Sequence, residues 1–371
     1  MKLSKRDFLV GGVAALSLPM LGRAAHAQAV QGAAIFAPKP GAWRSYEIKT
    51  QIDLPDPKGA AQAWIPVPSF KSDDWMRPGE TTFTTKTGTA ARVKDPKSGA
   101  EMIHVTWAAN ETAPSIEVVS RFQGRDRAID QVSTAAVNLT PDERKRYTAA
   151  TELLVLDGIV KETADKIVAN AKIDIDKARA IYEWVVDNTF RNAKTRGCGT
   201  GDIASMLKTG NLSGKCADLN ALYVGLARAA GLPARDVYGI RVAASKFGYK
   251  SLGANSATIT KAQHCRAEVF LTGLGWVPVD PADVRKVVLE EPPANLALND
   301  EKVLAARKAL FGAWETNWLA YNDAHDVVLP GSKGPSIPFL MYPQAELAGT
   351  RLDPLEPDAF KYVITAREID A

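Results

Sequence analysis

The sequence predicts an α+β chain in two parts: an all-β, sandwich-like region over residues 40–135, then a domain over residues 140–371 that mixes helices with antiparallel strands. Three observations predict it. Apolar and polar residues alternate in Tyr46-Glu47-Ile48-Lys49-Thr50-Gln51-Ile52 and again in Met102-Ile103-His104-Val105-Thr106-Trp107, the period of half-buried strands. The composition changes at Thr140-Pro141-Asp142-Glu143, where an N-cap threonine, a proline at the first helical position and a glutamate at the capping-box position start a helix. Helical spacing then dominates until strands return near Val237.

Before both parts, residues 1–27 read as a cleavable export signal. Lys2, Lys5 and Arg6 form its basic start, an apolar run follows from Phe8 to Leu21, and Ala25-His26-Ala27 supplies small residues for a cut before Gln28. The run has 14 residues, short of the ~20 that a membrane-spanning helix needs. Ser4-Lys5-Arg6-Asp7-Phe8-Leu9 resembles a twin-arginine export motif, with Lys5 where the first arginine usually stands. The expected location is periplasmic or otherwise extracytoplasmic; an uncleaved anchor is the alternative.

From Ala42 to about Arg127, strand-like runs are separated by turns rich in Pro, Gly and Asp. After the boundary, Ile159, Ala164, Ile167, Val168 and Ala171 share one helix face, and Ala178, Ile181, Tyr182, Val185 and Val186 share another. The stretch from Arg191 to Gly214 carries five glycines and reads as a loop. A helix follows with Leu219, Leu222, Leu226 and Ala229 or Ala230 on its apolar face, ended by Gly231 and Pro233. Ala267–Leu271, a Thr-Gly-Leu-Gly turn and Trp276–Asp280 then form a hairpin. Past Leu298 the sequence predicts a short helix near Arg307 and turn-rich chain.

Composition narrows the function classes. Removing residues 1–27 brings the formal charge from +4 to about +1. No basic tract, aromatic-interleaved stripe or zinc-finger spacing points to nucleic acid. There is no internal repeat, and no later apolar run is long enough to cross a bilayer. The cysteines are Cys198, Cys216 and Cys265, an odd number, so an exported chain keeps at least one thiol free or pairs it between chains.

Cys216 follows a glycine turn and opens a helix, near unpaired N–H groups and the positive end of the helix dipole, both of which lower a thiol's pKa. That position alone fits a buried core thiol, a disulfide partner or a nucleophile. A nucleophile needs an imidazole and a group that fixes its tautomer. His104 lies in an alternating strand with a surface or packing role, and His325 in a turn-rich stretch. His264 just precedes one hairpin strand and Asp280 ends the other, so antiparallel pairing brings the two to one edge.

Gly214-Lys215-Cys216, Gly231-Leu232-Pro233-Ala234-Arg235, His264 and Gly275-Trp276-Val277-Pro278-Val279-Asp280-Pro281 together resemble the transglutaminase-like superfamily in order and spacing. The resemblance covers roughly residues 140–290, with core motifs in 178–290, and extends toward the C-terminus. It implies a papain-like core in which the cysteine helix packs on an antiparallel sheet. In that core Cys216 is the nucleophile, His264 the general base and acid, and Asp280 the orienting carboxylate. It implies thiol-dependent acyl transfer without metal or organic cofactor. The first expectation is hydrolysis of peptide, isopeptide or other amide bonds in a peptide, protein or cell-envelope substrate. Protein cross-linking by an amine is the second, and a non-catalytic binding module on the same fold the third.

One departure concerns Arg266, which stands two residues after the histidine where the family usually has tryptophan. It is expected to pair with Glu268 or a substrate carboxylate, or to be solvated, and at the site its charge would repel a lysine amine. Trp184, Asn188 and Asn211 are open as the second oxyanion donor. Asp202 and Asp218 are expected to cap helices, and Arg235 to serve the structure beneath the sheet. A Cys198–Cys265 disulfide is an open alternative. A zinc site from Cys198, Cys216, His264 and Cys265 is disfavoured, because adjacent strand residues point to opposite faces.

Overall fold

Strand-forming alternation in the N-terminal third produces two antiparallel sheets. The computed structural model describes residues 35–54, 58–129 and 138–370; the expected export signal and the linker at 130–137 lie outside them. One four-stranded sheet has the order Lys361–Ile369, Arg44–Asp53, Ser115–Gly124, Met76–Thr85. The other places Thr350–Arg351, Gln344–Leu347, Ala61–Pro66, Glu101–Trp107 and Thr89–Lys94 side by side. Ile52, Ile116 and Val118 from the first sheet share a buried core with Ala63, Ile65, Ile103 and Val105 from the second, so the two sheets form a sandwich.

The sandwich does not close within residues 40–135. Lys361–Ile369 pairs along the whole of Arg44–Asp53, from Ser45 opposite Ile369 to Asp53 opposite Lys361. Gln344–Leu347 likewise pairs with Ala61–Pro66. Each C-terminal strand supplies hydrogen bonds that an edge of the N-terminal sheets would otherwise leave to solvent.

A second four-stranded antiparallel sheet, with the order Gly275–Val279, Gln263–Leu271, Ala234–Arg241, Trp318–Asn322, forms the floor of the remaining domain. The helix Cys216–Ala229 packs on its Gln263–Leu271 strand. Every residue of that helix is buried, including Asn220 and Arg228, whereas its sequence shows one apolar face. The helices Ile159–Val168, Asp174–Asn188 and Ile203–Thr209 cover the rest of it. A helix enclosed on all sides has to satisfy its polar groups internally; Arg228 does so by donating to Ala234 O and Ala149 O, each at 2.8 Å. Gly225 allows the close approach, since a Cβ there would meet Ile203 Cδ1 at 2.1 Å. At the other end Gly231, with φ +85°, takes the left-handed position that stops the helix.

Candidate active site

Asp218, third residue of the cysteine helix, sets the position of the thiol. Its Oδ1 accepts the N–H groups of Thr200 (2.9 Å) and Gly201 (3.0 Å), and its Oδ2 accepts Lys215 N–H at 3.0 Å. This ties the glycine-rich loop to the helix start, and Ala217 N–H adds a bond to Cys198 O at 2.9 Å. A Cβ on Gly214 would lie 2.5 Å from the Asp218 side chain, so only glycine fits there. Cys216 becomes the first helical residue, and its N–H finds no acceptor among the described residues. Asp202 caps the helix Ile203–Thr209 through Ser205 N–H, at 3.0 Å.

The hairpin brings in the other two residues. Gln263–Leu271 begins earlier than its alternation suggests, so His264 lies within the strand. Ala267 pairs with Val279, which sets Asp280 at the level of Arg266 with His264 two residues further on. His264 Nε2 lies 2.8 Å from Asp280 Oδ2. Asp280 also caps the helix Pro281–Glu290 through Asp283 N–H, at 3.0 Å. With Nε2 engaged, Nδ1 is left to act on the thiol of Cys216, whose pKa the imidazole helps to lower. All three residues are buried, at 3%, 3% and 0% exposure for Cys216, His264 and Asp280. The other two histidines among the described residues are elsewhere: His104 stacks on Trp64, and His325 contacts Asp236 and Tyr238.

Residues that sequence reasoning missed complete the array. Asn220 donates to Cys265 O at 2.8 Å and to Asp280 Oδ1 at 3.2 Å, fixing the carboxylate from inside the helix. Asp283 Oδ2 lies 3.4 Å from His264 Nε2, and Arg241 Nη2 donates to Asp283 Oδ1 at 2.5 Å. The spacing Asp280-Pro281-Ala282-Asp283, an N-cap followed by a carboxylate in the first turn, was the one local signal for Asp283.

The electrostatics follow from this burial. Desolvation and Arg241 push the His264 pKa down, but Asp283 and Asp280 outweigh them and lift it to about 10. The neighbouring Cys198 and Cys265 side chains, then His264, hold the Cys216 thiol well below the ordinary range, against the effect of burial. The same neighbours, with burial, raise Cys198 and Cys265. Burial and the neighbouring Asp283 charge raise Asp280, while Asp283 is held low, against burial, by Arg241 and His264. Burial lowers Arg266 only to about 10, so it stays cationic at neutral pH. His264, Arg241 and Arg266 thus face Asp280, Asp283 and Cys216, and a thiolate at Cys216 makes the buried set neutral.

All three cysteines are free thiols, so the Cys198–Cys265 disulfide does not form; each of these two faces Cys216 instead. Nor do the cysteines and His264 make a zinc site. Among the described residues, the group with ligand atoms within 4.8 Å of one another is His264, Asp280 and Asp283. Arg241 and Arg266 meet those carboxylates, at 2.5 Å from Asp283 and 3.6 Å from Asp280.

A family model described as the transglutaminase-like superfamily matches residues 161–281, the span that holds all three residues. An uncharacterized protein of Haemophilus influenzae is 36% identical over 343 residues, covering 87% of this chain and 91% of its own. The chain belongs to the transglutaminase-like superfamily. A crystal structure from Cytophaga hutchinsonii, assigned as a cysteine protease, is similar in fold at 14% identity, with a TM-score of 0.50 over 89% of this chain and 99% of that one. The periplasmic domain of TgpA from Pseudomonas aeruginosa matches at 16% identity over 66% of this chain and 88% of that one, with a TM-score of 0.33.

Within this transglutaminase-like core Arg266 is neither solvated nor aimed at substrate. It is 3% exposed, donates from Nη1 to Glu315 O at 3.0 Å, and lies over the Trp318 ring at 4.7 Å. Its Nε is 3.6 Å from Asp280 Oδ2. Glu268 is not its partner because the cross-strand neighbour Arg235 takes that carboxylate at 2.6 Å, together with Arg127. The three oxyanion alternatives also lie away from the thiol. Asn188 bonds to Trp184 O, Asn211 bonds to Ser213, and none of them lines the cleft of about 520 Å³ over Cys216. Gln263 does line it, and its Nε2 has no acceptor among the described residues.

Proposed function

We propose that this protein is a thiol acyl-transfer enzyme that hydrolyses amide bonds through Cys216, His264 and Asp280. The observation that carries this reading is the buried His264–Asp280 pair against a low-pKa thiol that opens onto a cleft. The Cys216 thiolate attacks the amide carbonyl, and the oxyanion is met by the Cys216 N–H and Gln263 Nε2. His264 gives its proton to the leaving amine as the tetrahedral intermediate collapses to a thioester. Water then attacks the thioester, His264 takes its proton, and the free acid leaves. Asp280, held by Asn220 and beside Arg266, stabilises the imidazolium in both halves.

Hydrolysis is favoured over cross-linking by the side chains at the cleft, not by Arg266, which is buried away from it. Lys215 and Lys261 line the cleft without a carboxylate partner among the described residues and repel a protonated lysine amine. The experiment is to mix the protein with envelope peptides, quench in acid and read the mass of the Cys216 peptide, with Cys216→Ala as the control. A thioester adduct on Cys216, absent from the variant, and free acid released even with added primary amine are the expected results. No adduct on Cys216 would refute the nucleophile, and a mainly amine-bearing product would replace hydrolysis with cross-linking. We place the reaction outside the inner membrane, as the basic and apolar start of the chain suggests; among the described residues no helix is long and apolar enough to cross a membrane. N-terminal sequencing of the native protein should find Gln28 first, and an intact Met1 would reject export with cleavage.

A further inference from the structure

The cleft over Cys216 is lined by two unlike sets of side chains. Leu355, Phe360 and Tyr362 from the C-terminal segment make an apolar one. The other is cationic: Arg191, Arg196, Lys215, Arg241, Lys261 and Lys286 line the cleft, with Glu290 as the one carboxylate in its lining. Glu290 is shared by Arg191 and Lys286. Just outside the lining, Asp283 holds Arg241 at 2.5 Å and Asp353 holds Arg196 at 2.6 Å. Setting one cation against each of these three carboxylates leaves three of the six positive charges uncompensated. Among the described residues neither Lys215, beside the nucleophile, nor Lys261, at the rim, is in an ion pair. The excess is local, because the whole chain carries only +4 over 371 residues.

We propose that this cleft selects an acidic acyl donor: a peptide with carboxylates flanking the amide that Cys216 opens. The proposal rests on Cys216 as nucleophile and names its substrate class. A cleft with an excess of one charge between low-dielectric walls concentrates ligands of the opposite charge and steers their approach. A carboxylate held by Lys215 sets the neighbouring carbonyl beside the thiol, while the apolar set covers the aliphatic part of the same residue. Basic peptides are rejected by the same charges. A phosphate-rich polymer would be drawn to the cleft too, but it offers no amide to the thiolate, so the peptide is the substrate the site as a whole fits.

Two alkylating reagents of nearly the same size, anionic iodoacetate and neutral iodoacetamide, test this on the intact protein. The ratio of their rates at Cys216, mapped by peptide mass, cancels any change in thiolate fraction and reads the charge of the cleft. Relative to free cysteine in the same buffer the ratio should be raised about tenfold, each uncompensated charge contributing roughly twofold at water-like screening. It should fall with added salt. Lys215→Gln with Lys261→Gln should lower it about fourfold in a protein with an unchanged circular dichroism spectrum. Tetraglutamate should protect Cys216 from iodoacetamide where tetralysine does not. A ratio no higher than that of free cysteine, or one unmoved by the double variant, would overturn the proposal while leaving a reactive thiol in place. Inorganic phosphate protecting as well as tetraglutamate would overturn the peptide assignment. Failure of both reagents at Cys216 would refute the nucleophile itself.

Discussion

Asp280→Asn isolates what the carboxylate does. Asparagine caps a helix about as well as aspartate, so the start of Pro281–Glu290 should survive the exchange. What is lost is the charge at 2.8 Å from His264 Nε2 and 3.6 Å from Arg266. A hydrogen bond to a charged group contributes about 1.5–3 kcal/mol, and 1.4 kcal/mol is a factor of ten. The thiolate–imidazolium pair should therefore become roughly 10–100-fold less populated near neutral pH. The assay is the rate of Cys216 alkylation by iodoacetamide against pH, with the site confirmed by peptide mapping. For the wild-type protein the rate should already be high well below the ordinary thiol range and stay nearly flat up to about pH 9, since His264 keeps its proton to about 10 and the thiol is held low. In the variant it should fall by that factor at about pH 6 and approach the wild type near pH 10, where a thiolate forms without help. Wild-type alkylation of the variant at pH 6, with the protein folded, would refute the reasoning that Asp280 stabilises the pair.

Stability offers a second readout, because a His264 pKa raised from 6.5 to about 10 stabilises the fold fully below pH 6.5 and loses that contribution as the pH rises through 10. His264→Gln should therefore cost most in urea denaturation at about pH 6 and least near pH 10; a penalty that grows with pH would contradict the charged imidazole. Gln263→Leu should slow amide turnover by about 10²–10³-fold if Nε2 meets the oxyanion, while alkylation of Cys216, which builds no oxyanion, proceeds as before. Equal losses in both reactions would reassign Gln263 to structure. Asn220→Ala removes the donor to Cys265 O and Asp280 Oδ1, and should lower stability by about 1–3 kcal/mol and slow alkylation together. An unchanged alkylation rate would free Asp280 from any dependence on it.

What could be read from the sequence was local or followed from one pairing. The glycine before Cys216, the Gly231 stop and the hairpin whose register sets His264 near Asp280 each follow from turn chemistry or strand periodicity. What escaped depended on distant chain. Ser45 pairs with Ile369 across the whole sequence, and no pattern near either residue announces it. Arg266 reads as a surface cation because a buried one needs partners, and its partners Asp280, Glu315, Trp314 and Trp318 come from two separate segments later in the chain. The polar Asn220 and Arg228 conceal the full burial of the cysteine helix for the same reason: the groups that satisfy them lie on strands and loops the helix alone does not specify.

The measurement that bears most directly on the account is the thiolate absorbance of the folded protein in the far ultraviolet, taken as the difference between wild type and Cys216→Ser across pH. Because Cys198 and Cys265 are raised while Cys216 is lowered, the difference should correspond to one thiolate already present well below the pH at which an ordinary thiol ionises, and should shrink in His264→Gln. No difference until about pH 9, where an ordinary thiol ionises, would contradict the thiolate–imidazolium pair on which the proposed chemistry stands.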